Sequence, residues 1–142
     1  MTEDDLKRVE EALDVKLPAP FRTFMLNYPD VLVLTKTDLG NRQESISERE
    51  FLNSADSMIH LNKDVRLDDD WTVDGGPWPQ KYFVIGDDEC GDYYAIDLVN
   101  FDGRVYFYEH ETGEFEHSAN SLADFVDTLV RDVVEFNREA GH

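Results

Sequence analysis

The chain has 142 residues, and its 32 acidic side chains against 13 Lys and Arg leave a net charge of −19 at pH 7. Such a balance repels phosphate backbones and anionic membrane surfaces, which excludes direct nucleic-acid binding and electrostatic membrane attachment as expected roles. The 41% hydrophobic and 12% aromatic content still suffices for a packed interior, so one compact domain over residues 1–142 is expected rather than disorder.

The N-terminus carries a helix signature. Thr2 can cap, Glu3, Asp4 and Asp5 sit where the helix dipole favours negative charge, and Leu6, Val9 and Leu13 recur at helical spacing. After a break at Val15-Lys16-Leu17-Pro18, Pro20 suits the start of a second helix through Phe21, Phe24, Met25 and Tyr28, ended by Pro29. Two helices this short cannot bury their apolar stripes alone and need a sheet to pack on. Val31 to Leu34 reads as a short buried strand, Thr35 to Glu50 is polar and aperiodic, and Ser54 to Val65 is a third helix. Asp68 to Pro79, with Trp71, Gly75, Gly76 and Trp78, reads as a loop whose tryptophans either seal the core or grip a partner.

From Lys81 the pattern changes to short strands between turn signals: Tyr82 to Ile85, Tyr93 to Leu98, Arg104 to Tyr108 and Phe115 to His117. Turn residues at Gly86 to Gly91, Asn100 to Gly103 and His110 to Gly113 make this an antiparallel meander. Ser121 then caps a final helix whose Leu122, Phe125, Val126, Leu129, Val130 and Val133 form an apolar stripe to lay across the sheet. The expected class is α+β, an antiparallel sheet flanked by N-terminal and C-terminal helices.

Little in the sequence points to catalysis. Cys90 is the single cysteine, which excludes an internal disulfide and four-cysteine zinc frameworks and suits a reducing compartment. Asp87, Asp88, Glu89 and Asp92 surround it, and nearby negative charge disfavours the thiolate a nucleophile needs, although His60, His110 and His117 are available as bases. The same four acids are hard oxygen ligands, but they lack the alternating spacing and distal Glu of an EF-hand and read equally as turn residues. No zinc-ligand spacing and no phosphate-binding glycine loop is present, so neither a metal nor a cofactor is expected. Met1-Thr2-Glu3-Asp4-Asp5 has none of the basic and apolar character of a secretory leader, and no run of about 20 apolar residues occurs, so a cytoplasmic protein is expected.

Charge is the more informative feature. Residues 83 to 142 hold 15 acids against Arg104, Arg131 and Arg138, so the strand-rich half is the more negative surface. Glu109, Glu111, Glu114 and Glu116 alternate around one turn, and either keep a sheet edge solvated or meet a basic partner.

The segments Val9-Glu10-Glu11-Ala12-Leu13-Asp14-Val15-Lys16-Leu17-Pro18 and Phe21 to Tyr28, then Phe83-Val84-Ile85-Gly86, Gly91-Asp92, Asp97, Val105-Tyr106 and His110-Glu111-Thr112-Gly113, resemble the SUKH superfamily in kind and order. That resemblance, running from about Leu6 to Leu129, implies an α+β scaffold without a catalytic role. It implies a cytoplasmic immunity protein that neutralises a cognate polymorphic toxin, often a nuclease basic where it meets phosphate. The alternative it implies is a regulatory or scaffolding domain for an endogenous partner, as in the related fungal cell-wall assembly regulator. For the toxin reading the expected contact residues are Asp87, Asp88, Glu89, Tyr94, Glu109, Glu111, Glu114 and Glu116. Gly86, Gly91, Asp92 and Asp97 are expected to hold turn and strand geometry instead.

Overall fold

The computed structural model describes residues 1–29, 51–67, 77–88 and 91–141, and the side chains of 133 and 136–141 fall outside the description. The expected strand at Val31 to Leu34, the polar stretch to Glu50, and most of the Asp68 to Pro79 loop, Trp71 included, also lie outside the described residues, as do Glu89 and Cys90.

Helix α1 spans Glu3–Leu13 and begins with a reciprocal cap: the Asp5 amide donates to the Thr2 hydroxyl while the Thr2 amide donates to the Asp5 carboxylate. Its Leu6, Val9 and Leu13 face inward. The chain leaves through Asp14 in the left-handed region at φ 53°, a conformation aspartate tolerates better than most side chains. Glu10 then organises the next turn. One carboxylate oxygen accepts from the Leu17 amide at 2.8 Å and the other from Arg22 at 2.6 Å, while Arg22 also reaches Glu3. This clamp presents Pro18 as the cap of α2 (Ala19–Leu26), which buries Phe21 and Met25. Helix α2 stops three residues before Pro29, the expected terminator. Asn27 closes it first, with its amide bonding Thr23 and Phe24 carbonyls and its side chain donating to the Thr23 carbonyl at 2.8 Å.

Tyr28 stacks on Phe51 with ring centroids 5.1 Å apart and donates its hydroxyl to the Phe51 carbonyl. Helix α3 (Ala55–Arg66) follows, capped by Ser54, and buries Ala55, Met58, Asn62 and Val65. The strands run β1 (Tyr82–Asp87), β2 (Tyr93–Asp97), β3 (Val105–Glu109) and β4 (Glu114–Ala119) in a four-stranded antiparallel meander of order β1-β2-β3-β4. A bulge between Val84 and Gly86 carries β1 two residues past the expected end at Ile85. Helix α4 (Leu122–Gly141) starts where Ser121 accepts from the Asp124 amide at 3.0 Å.

Alternation divides the sheet into two faces. One carries Phe83, Ile85, Ile96 and Val105 and packs on Leu6, Val9, Phe21 and Met25 from α1 and α2 and on Leu122, Phe125, Val126 and Leu129 from α4. The other carries Val84 and Tyr108, covered by Trp78 and by Val65 of α3. Trp78 is 2% exposed, which settles its role as a seal of the core.

Helix α3 closes the β1 edge. Asn62, fully buried, accepts from the Val84 amide at 2.8 Å and donates to the Val84 carbonyl at 2.9 Å, in place of a neighbouring strand, which β1 lacks on that side among the described residues. Arg66 donates to the Gln80 and Tyr82 carbonyls at 2.7 and 2.9 Å, and the Leu52 amide donates to the Ile85 carbonyl at 2.8 Å.

Candidate functional site: an acid-lined hairpin

The β1–β2 and β3–β4 turns lie side by side because Asp92 ties them together. Its Oδ1 accepts from the His110 amide at 2.8 Å and lies 2.6 Å from His110 Nδ1, while the Asp92 amide donates to Asp88 at 3.3 Å. Gly91 suits this joint because its φ of 93° is a conformation L side chains rarely adopt, and a Cβ there would also crowd the His110 ring at 3.3 Å. Asp97 is also structural, accepting from the Val99 and Asn100 amides at 2.8 and 2.9 Å to start the β2–β3 turn. The expected geometric roles of Gly91, Asp92 and Asp97 are thus visible.

The Asp92–His110 pair shifts both partners. The hydrogen bond to Asp92 raises His110 above its ordinary 6.5. Partial burial pushes Asp92 up, but the bonds from the His110 backbone and ring and from Asp88 outweigh it and hold the carboxyl below its ordinary 3.8. The two signs define a pH window. The histidine contribution is full below 6.5 and is lost as pH rises through the raised folded value, and the aspartate contribution is full above 3.8 and is lost as pH falls through the lowered one. The stability difference between the native chain and His110→Gln, from urea unfolding, is expected to be constant from about pH 4 to 6.5 and to shrink at higher pH. Equal differences at pH 5 and pH 9 would show that the charged pair contributes nothing.

Register places the predicted contact residues. Glu109 pairs with Glu114 and Phe107 with Glu116, so Glu109, Glu114 and Glu116 share one face of the outer hairpin with Phe107. Tyr94 is on that same face, opposite Phe107 in the β2–β3 ladder. Its ring lies 5.0 Å from Phe107 and 5.2 Å from Phe125 of α4, so it is half-buried between β3 and α4, two strands in from the acids of β4. Glu111 is exposed at the hairpin tip, beside Gly113 at φ 72°.

Asp87 and Asp88 stand apart from this strip. Asp87 pairs with Tyr93, is 9% exposed and shares the Trp78 face, where burial first and then its charge and that of Asp64 raise the Tyr93 hydroxyl. Asp88 is half-buried and bonds across the turn to Asp92 in both directions. Both nevertheless sit at the same end of the sheet as Glu111, since the two turns are joined. Glu89 lies outside the described residues.

Phe107, one of the alternating aromatic residues of β3, stands beside the acids although the expected contact set does not include it. The usable signal was the two-residue alternation that puts it on the side of Glu109.

Like charges directly opposite on neighbouring strands are destabilising, and Glu109 faces Glu114 in that way. Among the described residues no Lys or Arg pairs with Glu109, Glu111, Glu114 or Glu116; three arginines pair elsewhere, Arg22 with Glu3 and Glu10, Arg8 with Asp56 and Arg104 with Asp102. The strip therefore keeps a concentrated negative field at its surface. Among the described residues there is also no group of three or more His, Cys, Asp or Glu placed to hold a metal ion, and no helix long and apolar enough to cross a membrane.

These features define the class as an α+β protein built on a helix-flanked antiparallel meander with an acid-lined outer hairpin. The model of the SMI1 / KNR4 family (SUKH-1) matches residues 1–128, from α1 into α4, and the chain belongs to that family. The family comprises non-enzymatic immunity or regulatory proteins that act through contact with other proteins. Comparison with curated proteins finds no match.

Proposed function

We propose that this chain is a cytoplasmic immunity protein that neutralises a cognate polymorphic toxin by covering a basic surface, as found on nucleases where they meet phosphate. The reading makes it a binding protein with no chemistry of its own. The observation that carries it is the unneutralised carboxylate strip of Glu109, Glu114 and Glu116, beside Phe107 on the same sheet face, with Glu111 at its tip. A protein that needed acids only for solubility gains nothing by placing two of them in direct opposition on paired strands. Carboxylates with an aromatic ring beside them on one sheet face suit guanidinium and ammonium groups, which attract both. Family membership supplies the general kind of role, contact with another protein. Asp87 and Asp88 add negative charge at the neighbouring turn, and Glu89 is proposed as a contact with them.

The test is co-expression and binding with the product of the adjacent gene. The native chain is expected to protect cells, to co-purify with that product, and to associate more slowly as salt rises. Changing Glu109, Glu114 and Glu116 together to Lys is expected to slow association by about tenfold or more. Full inhibition by that triple variant, with no dependence on salt, would refute the electrostatic mechanism. An adjacent product that is an ordinary cellular protein, bound but not inhibited, would refute the immunity reading and leave regulation in its place.

A further inference from the structure

The two edges of the sheet are finished differently. On β1, Asn62, Leu52 and Arg66 occupy outward-facing backbone groups, so no further strand can add there. On β4 no comparable cover exists: among the described residues nothing outside the β3–β4 ladder bonds to the backbone of Phe115 to Ala119, and Glu114, Glu116, His117 and Ser118 are exposed. Every second backbone N–H and C=O of such a strand points away from its neighbour.

We propose that the outer edge of β4 receives an extended segment of the partner as a fifth strand, with Lys or Arg at alternate positions beside Glu114 and Glu116. This rests on the reading that the partner is basic and adds how it docks. Residues two apart on the added strand would fall on the acid side, while those between them would meet Phe115 and His117 on the other. Charge selects the occupant. A second copy of this chain would bring its own Glu114 and Glu116 against the same residues, at a net charge of −19 per copy, so self-pairing is repelled. The irregularity opposite Val105 and Tyr106 confines regular pairing to Glu114–His117, a short recognition edge.

A synthetic peptide alternating Lys and Val over eight residues, titrated into the full chain, is the probe. It is expected to bind and to slow hydrogen exchange of outward β4 amides. Methylating one alternate set of its amide nitrogens is expected to weaken it by about tenfold or more, while methylating the other set is tolerated, because only one set faces the edge. The double variant Glu114→Lys with Glu116→Lys should also lose the peptide. Equal binding of both methylated peptides, unchanged β4 exchange, or no binding of the parent peptide would overturn strand addition. If strand addition fails while inhibition of the adjacent product still depends on the Glu109, Glu114 and Glu116 charges, only the docking mode is lost. If that dependence is absent as well, the basic-partner reading fails with it.

Discussion

Asn62→Ala is expected to destabilise the protein by about 3 kcal/mol, because it strands a buried backbone donor and acceptor together. The Asn62 amide uses its oxygen for the Val84 N–H and its nitrogen for the Val84 and Met58 carbonyls, at 2.8, 2.9 and 2.9 Å. Asparagine is a poor helix former, so helix propensity alone would make alanine an improvement at this position. The expected loss therefore has the opposite sign to the local preference, which makes the measurement decisive. Urea unfolding should show a lowered midpoint with an unchanged slope, and the Val84 amide should exchange faster. Asn62→Asp should also destabilise, since a carboxylate can accept from Val84 but, when ionised, cannot donate to either carbonyl and carries charge into a fully buried site. An alanine variant as stable as the native chain would mean that α3 does not secure β1.

That contact was not legible beforehand, and the reason is physical. Periodicity reports which positions face inward, so Leu6, Val9 and Leu13 of α1 and the α4 stripe through Leu122, Phe125, Val126 and Leu129 could be assigned, and turn residues located the meander. Ser54 to Val65 could likewise be read as a helix, close to the observed Ala55–Arg66. A buried asparagine whose partners are backbone groups 22 residues away leaves no periodic trace. The same holds for Asp92 and His110, 18 residues apart, whose residues were visible but whose contact was not. Strand alternation assigns residues to faces only once register is known. The acids of the predicted contact set could be named, but not the division that puts Glu109, Glu114 and Glu116 on one face and Asp87 on the other.

Trp78→Ala carries the largest expected cost, about 3–5 kcal/mol, the range for deleting a buried aromatic side chain. The indole is 2% exposed and lies edge-on to three rings, 6.0 Å from Tyr93 and 5.2 Å from both Tyr108 and Phe115. Its Nε1 donates to the Tyr82 carbonyl at 2.9 Å, an oxygen that also accepts from Arg66. Trp78→Phe should keep most of the ring packing and lose the indole donor. Because Arg66 still serves the Tyr82 carbonyl, that variant should cost only about 1–2 kcal/mol. The ordering alanine far worse than phenylalanine, read by denaturant midpoint and near-ultraviolet circular dichroism, is the signature of a sealing residue. A tryptophan that gripped a partner would give the reverse pattern, with stability unchanged in both variants and binding lost in both. Since Tyr93, Tyr108 and Phe115 belong to β2, β3 and β4, the loss at Trp78 should loosen the face opposite α1 and α2 across most of the sheet. The acid strip lies on the other side of the same strands, so a Trp78→Phe chain that remains folded should retain its partner affinity.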